Sequence, residues 1–144
     1  AGHMDEWERR RGRVTVLTPH EGEFLRVGGD LSQGRTAAAE DFARRSGAVV
    51  VLKGPGTVVA GPDGRCRVNT TGNCGMAKGG SGDVLSGVVL ALLGLGMDAF
   101  DACCCAVWLH GRAGDLAAQE KGQWGMTPTD LLERLPQALR EVTE

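Results

Sequence analysis

The 144-residue sequence is poor in aromatic residues and has no long hydrophobic run: it contains no tyrosine, three phenylalanines and three tryptophans. Its longest apolar stretch, residues 84–97, is shorter than the ~20 residues of a bilayer-spanning helix and is interrupted by glycine. We also expect no signal peptide. The net charge of −2 gives no basic surface of the kind that binds nucleic acid. We therefore expect neither a membrane nor a nucleic-acid partner.

The five cysteines show no CxxC pair, and three of them are consecutive, Cys103, Cys104 and Cys105. Neighbouring residues on a helix point about 100° apart, so these thiols are badly placed to share one tetrahedral metal site. We expect reduced, mostly buried thiols in a cytoplasmic protein. The first four residues, "AGHM", are interpreted as an expression scar, and residues 5–144 as one domain.

The order of apolar and helix-forming segments predicts an α/β fold. Residues 14–17 and 48–53 read as buried strands, and residues 35–47 between them as a helix with late arginines and a terminal glycine. This is a β-α-β unit with a right-handed crossover. Residues 57–60 and 65–68 flank the turn sequence "GPDG" and predict a hairpin.

Three helices are predicted after the hairpin. The first covers about residues 81–95, and the second is long and begins after Asp98 as N-cap. The third starts at the capping pattern Thr-Pro-x-Asp of residues 127–130 and continues beyond Pro136.

Polar or glycine-rich loops follow the predicted strands at three places: "TPHEGE" (18–23), "KGPGT" (53–57) and "TTGNCGMAKGGSGD" (70–83). Ligands of open α/β sheets bind at the carboxyl ends of the strands. The three loops together therefore predict a binding site at one sheet edge.

The third loop leads into a helix whose first amides lack intrahelical acceptors. Gly79, Gly80 and Gly82 carry no Cβ atoms, so these amides can approach an anion closely. The loop is neither a Walker A loop nor a GxGxxG fingerprint. Asp83 lies in the first helical turn, where it either balances the helix dipole or takes a proton from a hydroxyl beside a phosphate.

Several other polar residues have two interpretations each. Lys53 is either a strand-end lysine that reaches solvent or a charge near phosphate groups. His20, with Glu23 beside it, either orients a substrate or is structural, and Asn73 either donates a hydrogen bond or shapes its turn. Lys78 either adds charge to the anion site or is solvated, whereas we expect His110 to have a packing role.

In this order, the segments "LTPHEGEF", "VVLKGPGTVV", "VNTTGNCGMAKGGSGDVLSG", "LHGRAGDLAA" and "TPTDLLERLPQAL" resemble the ADP- or ATP-dependent NAD(P)H-hydrate dehydratase family. This family is ribokinase-like and includes the C-terminal domain of bifunctional nicotinamide nucleotide repair enzymes. The resemblance implies a three-layer α/β/α fold. It also implies phosphorylation of the ring hydroxyl of NAD(P)H hydrate, followed by elimination of phosphate to give NAD(P)H.

The resemblance also implies residue roles. Asp83 would be the catalytic base and would bind the hydrate together with His20, with Glu23 and Asn73 in support. The adenine nucleotide, ADP or ATP, would bind to a segment of five residues and to Gly82; the segment comprises Lys53, Gly54, Pro55, Gly56 and Thr57. Amides of Gly79, Gly80, Ser81 and Gly82 would form an anion hole. Mg²⁺ would bridge the phosphates mostly through water, with no direct ligand from the chain.

The sequence departs from the family pattern at two positions of the third loop and in its length. Cys74 stands where proline is usual, and Lys78, where a small hydroxyl residue is usual, would place a cation near the phosphate site. Family domains are about twice this length, so the chain resembles the C-terminal half. We expect a homo-oligomer or a separate N-terminal half to cover its first strand. The alternative functions are a ribokinase-like kinase of a pyrimidine or sugar, and a non-catalytic nucleotide-binding fragment.

Overall fold

A computed structural model describes residues 9, 10 and 12–143. The first four residues, interpreted above as an expression scar, lie outside the described residues. The elements are, in chain order, β1 (Val16–Leu17), α1 (Glu21–Arg26), α2 (Arg35–Ser46), β2 (Val49–Leu52), β3 (Val58–Ala60), β4 (Cys66–Val68), a 3-10 turn (Cys74–Met76), α3 (Ser81–Gly94), α4 (Ala99–Gly125) and α5 (Pro128–Thr143).

The sheet has the strand order β1-β2-β3-β4. Strands β1 and β2 are parallel, with Val16 opposite Val49, whereas β3 is antiparallel to both β2 and β4. Two reversals restore the original direction, so β1, β2 and β4 all end at the same edge. The three loops predicted to share a site therefore do leave from one sheet edge.

Alternating side chains of the central strands build two cores. Val50, Leu52 and Val58 face α1 and α2, where Phe24 and Phe42 pack at a ring-centroid distance of 5.2 Å. The opposite face is covered by α3 and α4; there Val49, Val51 and Val59 contact a set formed by Leu85, Val89, Phe100, Cys103, Ala106 and Val107. Helices thus cover both faces of the sheet, and the predicted α/β/α class is confirmed.

Local signals fixed most helix ends. Gly47 ends α2 in the left-handed conformation at φ 70°, and its amide donates to the Ala43 carbonyl. The carboxylate of Asp98 accepts hydrogen bonds from the amides of Phe100 and Asp101, which confirms the predicted N-cap of α4. Pro136 lies inside α5, which continues through it to Thr143.

The cysteines are only partly as expected. None of the five forms a disulfide, but only Cys103 is fully buried, and Cys74 is exposed. Burial raises the pKa of Cys103 to about 12, so this thiol is protonated at neutral pH. The expectation of mostly buried thiols is therefore wrong, because the other cysteines lie on helix and strand faces that solvent reaches.

Within residues 9, 10 and 12–143, no helix combines the length and the apolar character that crossing a bilayer demands.

Candidate functional site

The N-terminus of α3 has the form expected of an anion site. Gly80 is its N-cap at φ 94°, and no side chain caps the helix. Among the described residues, the amides of Gly79, Gly80 and Gly82 meet no hydrogen-bond acceptor, and both Gly79 and Gly80 are exposed. Unpaired amides with a helix dipole behind them attract negative charge.

Ser81 differs from its glycine neighbours because it points inward. Its amide donates to the Lys78 carbonyl at 3.2 Å, so it is not free for a ligand. Its hydroxyl lies 3.3 Å from Nε2 of His110. The predicted anion hole of four amides is therefore reduced to the three glycine amides.

His110, expected to be a packing residue, is buried and holds the first turn of α3. Its Nε2 lies 2.9 Å from the Ser81 carbonyl, which can only accept, so Nε2 carries the proton. Burial lowers the pKa of His110, and the contact with Ser81 opposes that shift. A neutral imidazole thus joins α4 to the start of α3.

His20 and Lys53 lie side by side at the ends of β1 and β2, where they form a parallel bridge. His20 is the N-cap of α1 in a capping box: its Nδ1 accepts from the Glu23 amide at 3.2 Å, and its own amide donates to Glu23 Oε2 at 2.8 Å. With Nδ1 occupied, Nε2 of this exposed imidazole remains for a ligand, although Glu23 Oε1 lies 3.5 Å away.

Lys53 reaches across to α3. A Cβ atom built on Gly82 would lie 3.2 Å from its Nζ, so the ammonium lies beside the second residue of the helix. Glu23 Oε2 is 3.6 Å from the same Nζ. The hydrogen bond from the His20 amide, with a smaller contribution from Lys53, lowers the pKa of Glu23. Lys53 is therefore more than a solvent-reaching strand end.

Asp83 is exposed in the first turn of α3, one residue after Gly82. No ion pair involves its carboxylate within the described ranges. The partial positive charge at the N-terminus of α3 attracts a carboxylate in this position. A carboxylate beside an anion site also suits a general base, so both predicted roles of Asp83 fit its placement.

The segment Lys53 to Thr57 is an exposed turn between β2 and β3. Gly54 has φ 151° and Gly56 has φ 61°, and Thr57 Oγ1 donates to the Gly54 carbonyl at 3.1 Å. The backbone of this turn contacts the guanidinium of Arg35 through the Gly56 carbonyl. From the sequence, Arg35 was predicted only as the first residue of a helix.

The loop before α3 is held by Asp115, which sequence reasoning missed. The Asp115 carboxylate accepts from the Gly72 amide and from Nδ2 of Asn73, both at 2.9 Å. Oδ1 of Asn73 accepts in turn from the Gly75 amide at 3.0 Å. Both ends of the Asn73 side-chain amide are thus bonded within the chain, where they shape the loop. The one local signal for Asp115 was an acid within the small-residue run "HGRAGD".

Lys78, predicted either to add charge to the anion site or to be solvated, directs its ammonium at backbone carbonyls. Its ammonium donates to the carbonyls of Gln123 at 3.3 Å and Trp124 at 2.9 Å, and also to that of Met126. These carbonyls end α4, whose regular geometry breaks at Gly122 with φ 72°. Cys74, the other departure from the family pattern, donates to Oε1 of Gln123 at 2.8 Å. Both departures therefore anchor the loop to the end of α4.

The chain offers no ligand set for a metal ion within the described residues, since no three His, Cys, Asp or Glu side chains lie together. The three free glycine amides and Lys53 fit a phosphate group instead. Lys53 lies beside both His20 and Gly82, and Asp83 follows Gly82 in the chain, so these residues together are a candidate anion site.

Comparison with known proteins identifies relatives. Residues 3–137 match the profile of the NAD(P)H-hydrate dehydratase family. The chain is 48% identical over 143 residues to a bifunctional NAD(P)H-hydrate repair enzyme of Thermofilum pendens, covering 96% of this chain and 27% of that protein. It is 40% identical over 134 residues to the ADP-dependent (S)-NAD(P)H-hydrate dehydratase of Bacillus subtilis, covering 90% and 48%.

A solved structure gives the same result. The crystal structure of the ADP/ATP-dependent NAD(P)H-hydrate dehydratase from Bacillus subtilis, co-crystallised with ATP/Mg²⁺, superposes with a TM-score of 0.84 at 39% identity. The match covers 89% of this chain and 48% of that one. The chain thus spans about a quarter to a half of the length of these relatives.

Gly82→Ala tests the contact between Lys53 and α3. The added methyl group would meet only the Lys53 ammonium, which must shift by a few tenths of an ångström. Since Gly82 is helical, stability should stay equal or rise by up to about 1 kcal/mol. We expect binding of adenine nucleotide, measured by calorimetry, to weaken about tenfold, or about 1.4 kcal/mol.

Gly87→Ala is the matched control, because a Cβ at this exposed position of the same helix meets nothing within 4 Å. It should show the stability gain without the loss of affinity. Equal affinities in the two variants would contradict a role for the Lys53–Gly82 contact.

His110 predicts a pH dependence of stability. Its pKa is lowered in the folded chain, so below about pH 6.5 the unfolded chain binds more protons than the folded one. The free energy of unfolding should therefore fall as the pH drops from 7.5 to 5.5, by at most about 1.4 kcal/mol per pH unit. Urea titrations at several pH values measure this slope.

His110→Gln should remove that slope, because the amide can donate to Ser81 without titrating. His20→Gln, which alters an exposed imidazole, should retain it. A slope that persists in His110→Gln would contradict the assignment.

Proposed function

Because this chain belongs to the NAD(P)H-hydrate dehydratase family, we propose that it carries the phosphoryl-transfer site of an ADP- or ATP-dependent NAD(P)H-hydrate dehydratase, a lyase of nicotinamide nucleotide repair. One observation supports this above all others: the Lys53 ammonium lies beside the uncapped N-terminus of α3. Glu23 is the ion-pair partner of Lys53 at 3.6 Å, and an anion bound between Lys53 and the helix N-terminus would be attracted by both positive groups.

In the proposed reaction, a nucleotide phosphate binds to the amides of Gly79, Gly80 and Gly82 and to Lys53. These groups stabilise the negative charge of the phosphoryl group during its transfer, as fixed donors do in phosphoryl transfer generally. Lys53 to Thr57 binds the rest of the adenine nucleotide. Among residues 9, 10 and 12–143 no three His, Cys, Asp or Glu side chains lie together, so nucleotide and water would hold a bound Mg²⁺, which would supply neutralisation of phosphate charge.

Asp83 accepts the proton of the ring hydroxyl of the hydrate, whose oxygen then bonds to the terminal phosphorus of ADP or ATP. The bond to the leaving AMP or ADP breaks. Phosphate next leaves the ring with the electron pair of its C–O bond, and the neighbouring ring carbon loses a proton, which restores NAD(P)H. Nε2 of His20 orients the hydrate, and Glu23 fixes the ring of His20 through Nδ1.

The principal test is recovery of reduced-nicotinamide absorbance after the chain is mixed with NADHX, Mg²⁺ and either ADP or ATP. Asp83→Asn keeps the size of the side chain but removes the base, and we expect at least a 100-fold lower rate with nucleotide affinity within about twofold of wild type. Gly87→Ala, on an exposed face of the same helix where an added Cβ meets nothing within 4 Å, is the control and should retain the rate.

The products separate the alternatives. Release of a stable phosphorylated small molecule would indicate a ribokinase-like kinase. Nucleotide binding without turnover, with a full-length relative active in parallel, would indicate a non-catalytic fragment and contradict the proposed activity of this chain.

A further partner is also part of the proposal. Within the described residues, β1 is an edge strand, and Val14, Leu90 and Leu95 are exposed by 67%, 71% and 80%. An open strand edge and exposed apolar side chains each favour association, either of two copies or with a separate N-terminal half. Light scattering should give a mass above the monomer's 15.1 kDa for the pure chain or for its co-purified complex. A clean monomer that turns over substrate would contradict this expectation.

A further inference from the structure

Arg35 joins four groups beneath the exposed turn from Lys53 to Thr57. Its Nη1 donates to the carbonyls of Pro55 and Gly56, the latter at 3.1 Å, and Nη2 donates to the carbonyl of Leu52 at 3.0 Å. Its Nε lies 3.0 Å from Oε1 of Glu21 on α1. The side chain is 24% exposed, so the guanidinium lies under the turn and not in open solvent.

Helix formation does not account for an arginine at this position. Arg35 is the first residue of α2, and the first turn of that helix contains no acid. The partial positive charge of a helix N-terminus disfavours a cation there. The contacts with the turn and with Glu21 provide the compensating attraction.

The guanidinium fixes the direction of two peptide units. None of the described peptide bonds is cis, so each carbonyl points opposite to the N–H of the same peptide unit. With the Pro55 and Gly56 carbonyls directed at Arg35, the amides of Gly56 and Thr57 point away from it. They therefore face the side of the turn that Arg35 does not occupy.

Gly54 is required for this arrangement. A Cβ atom at Gly54 would lie 2.6 Å from Nη2 of Arg35, closer than real contacts allow. Its φ of 151° is also one that other residues rarely adopt. The glycine thus lets the guanidinium approach the backbone of the turn.

We propose that Arg35 is a positioning residue that directs the Gly56 and Thr57 amides toward acceptor oxygens of a bound adenine nucleotide. The proposal rests on the proposed function, since that function supplies the nucleotide. Planar, forked donors suit this task because one guanidinium binds several carbonyls at fixed angles, which a single ammonium does not.

The experiment compares Arg35→Ala and Arg35→Lys with Arg44→Ala, a control on the exposed side of the same helix. Calorimetry measures the affinity for ADP and for ATP. We expect about a tenfold weaker affinity in Arg35→Ala, a smaller loss in Arg35→Lys and no change in Arg44→Ala. Thermal unfolding verifies that each variant is folded, and Arg35→Lys serves if the alanine variant does not fold.

Two further measurements distinguish positioning from general structural support. Binding of inorganic phosphate, followed through the Gly82 amide shift, should change less than twofold in Arg35→Ala. Without any ligand, the ¹⁵N order parameters of Gly56 and Thr57 should fall from about 0.85 toward 0.6 or below in Arg35→Ala, with the rest of the chain unchanged.

The outcomes separate this proposal from the proposed function. If wild type binds no adenine nucleotide, the proposed function fails, and positioning of the turn is decided by the order parameters alone. Unchanged order parameters in both Arg35 variants overturn the proposal. It is equally overturned if wild type binds nucleotide and Arg35→Ala binds it as tightly.

Discussion

The shared direction of β1, β2 and β4 is the constraint on which the site depends. Parallel strands end at the same edge of a sheet. Strand β3 is antiparallel to both β2 and β4, so β4 runs in the same direction as β1 and β2. His20 and Lys53 therefore lie side by side although 33 residues separate them, and the loop before α3 arrives at the same place. Sheet topology, and not proximity in sequence, assembles this group of side chains.

Electrostatics supports the proposal that the assembled group binds an anion. The N-terminus of α3, its unpaired glycine amides and the Lys53 ammonium are all positive, and Glu23 at 3.6 Å is the one carboxylate within the described residues that pairs with Lys53. Glu23 also accepts from the His20 amide, so its negative charge is divided between two donors. These positive groups would attract the phosphate of the proposed reaction, in which Asp83 is the proposed base.

Sequence reasoning predicted what local signals determine. Caps at Gly47 and Asp98, the "GPDG" hairpin and the glycine-rich helix start all follow from residue types within a few positions of each other, and the structure has them. Sequence reasoning could not predict the hydrogen bonds that Asp115 and Arg35 make to loops 43 and 20 residues away in the chain. Lys78 shows the same limit: its sequence neighbours are the anion loop, but its bonding partners are carbonyls at the end of α4.

The hairpin of β3 and β4 has a consequence for how this fold can vary. Its turn, with Pro62, Asp63 and Gly64 exposed, lies at the sheet edge opposite the site, one strand length or roughly 10 Å away. Residues inserted there would extend into solvent and leave the register of Val58 with Val68 intact. The length of the chain can therefore vary at the sheet edge that carries this turn. At the opposite edge, the candidate site depends on a defined backbone conformation.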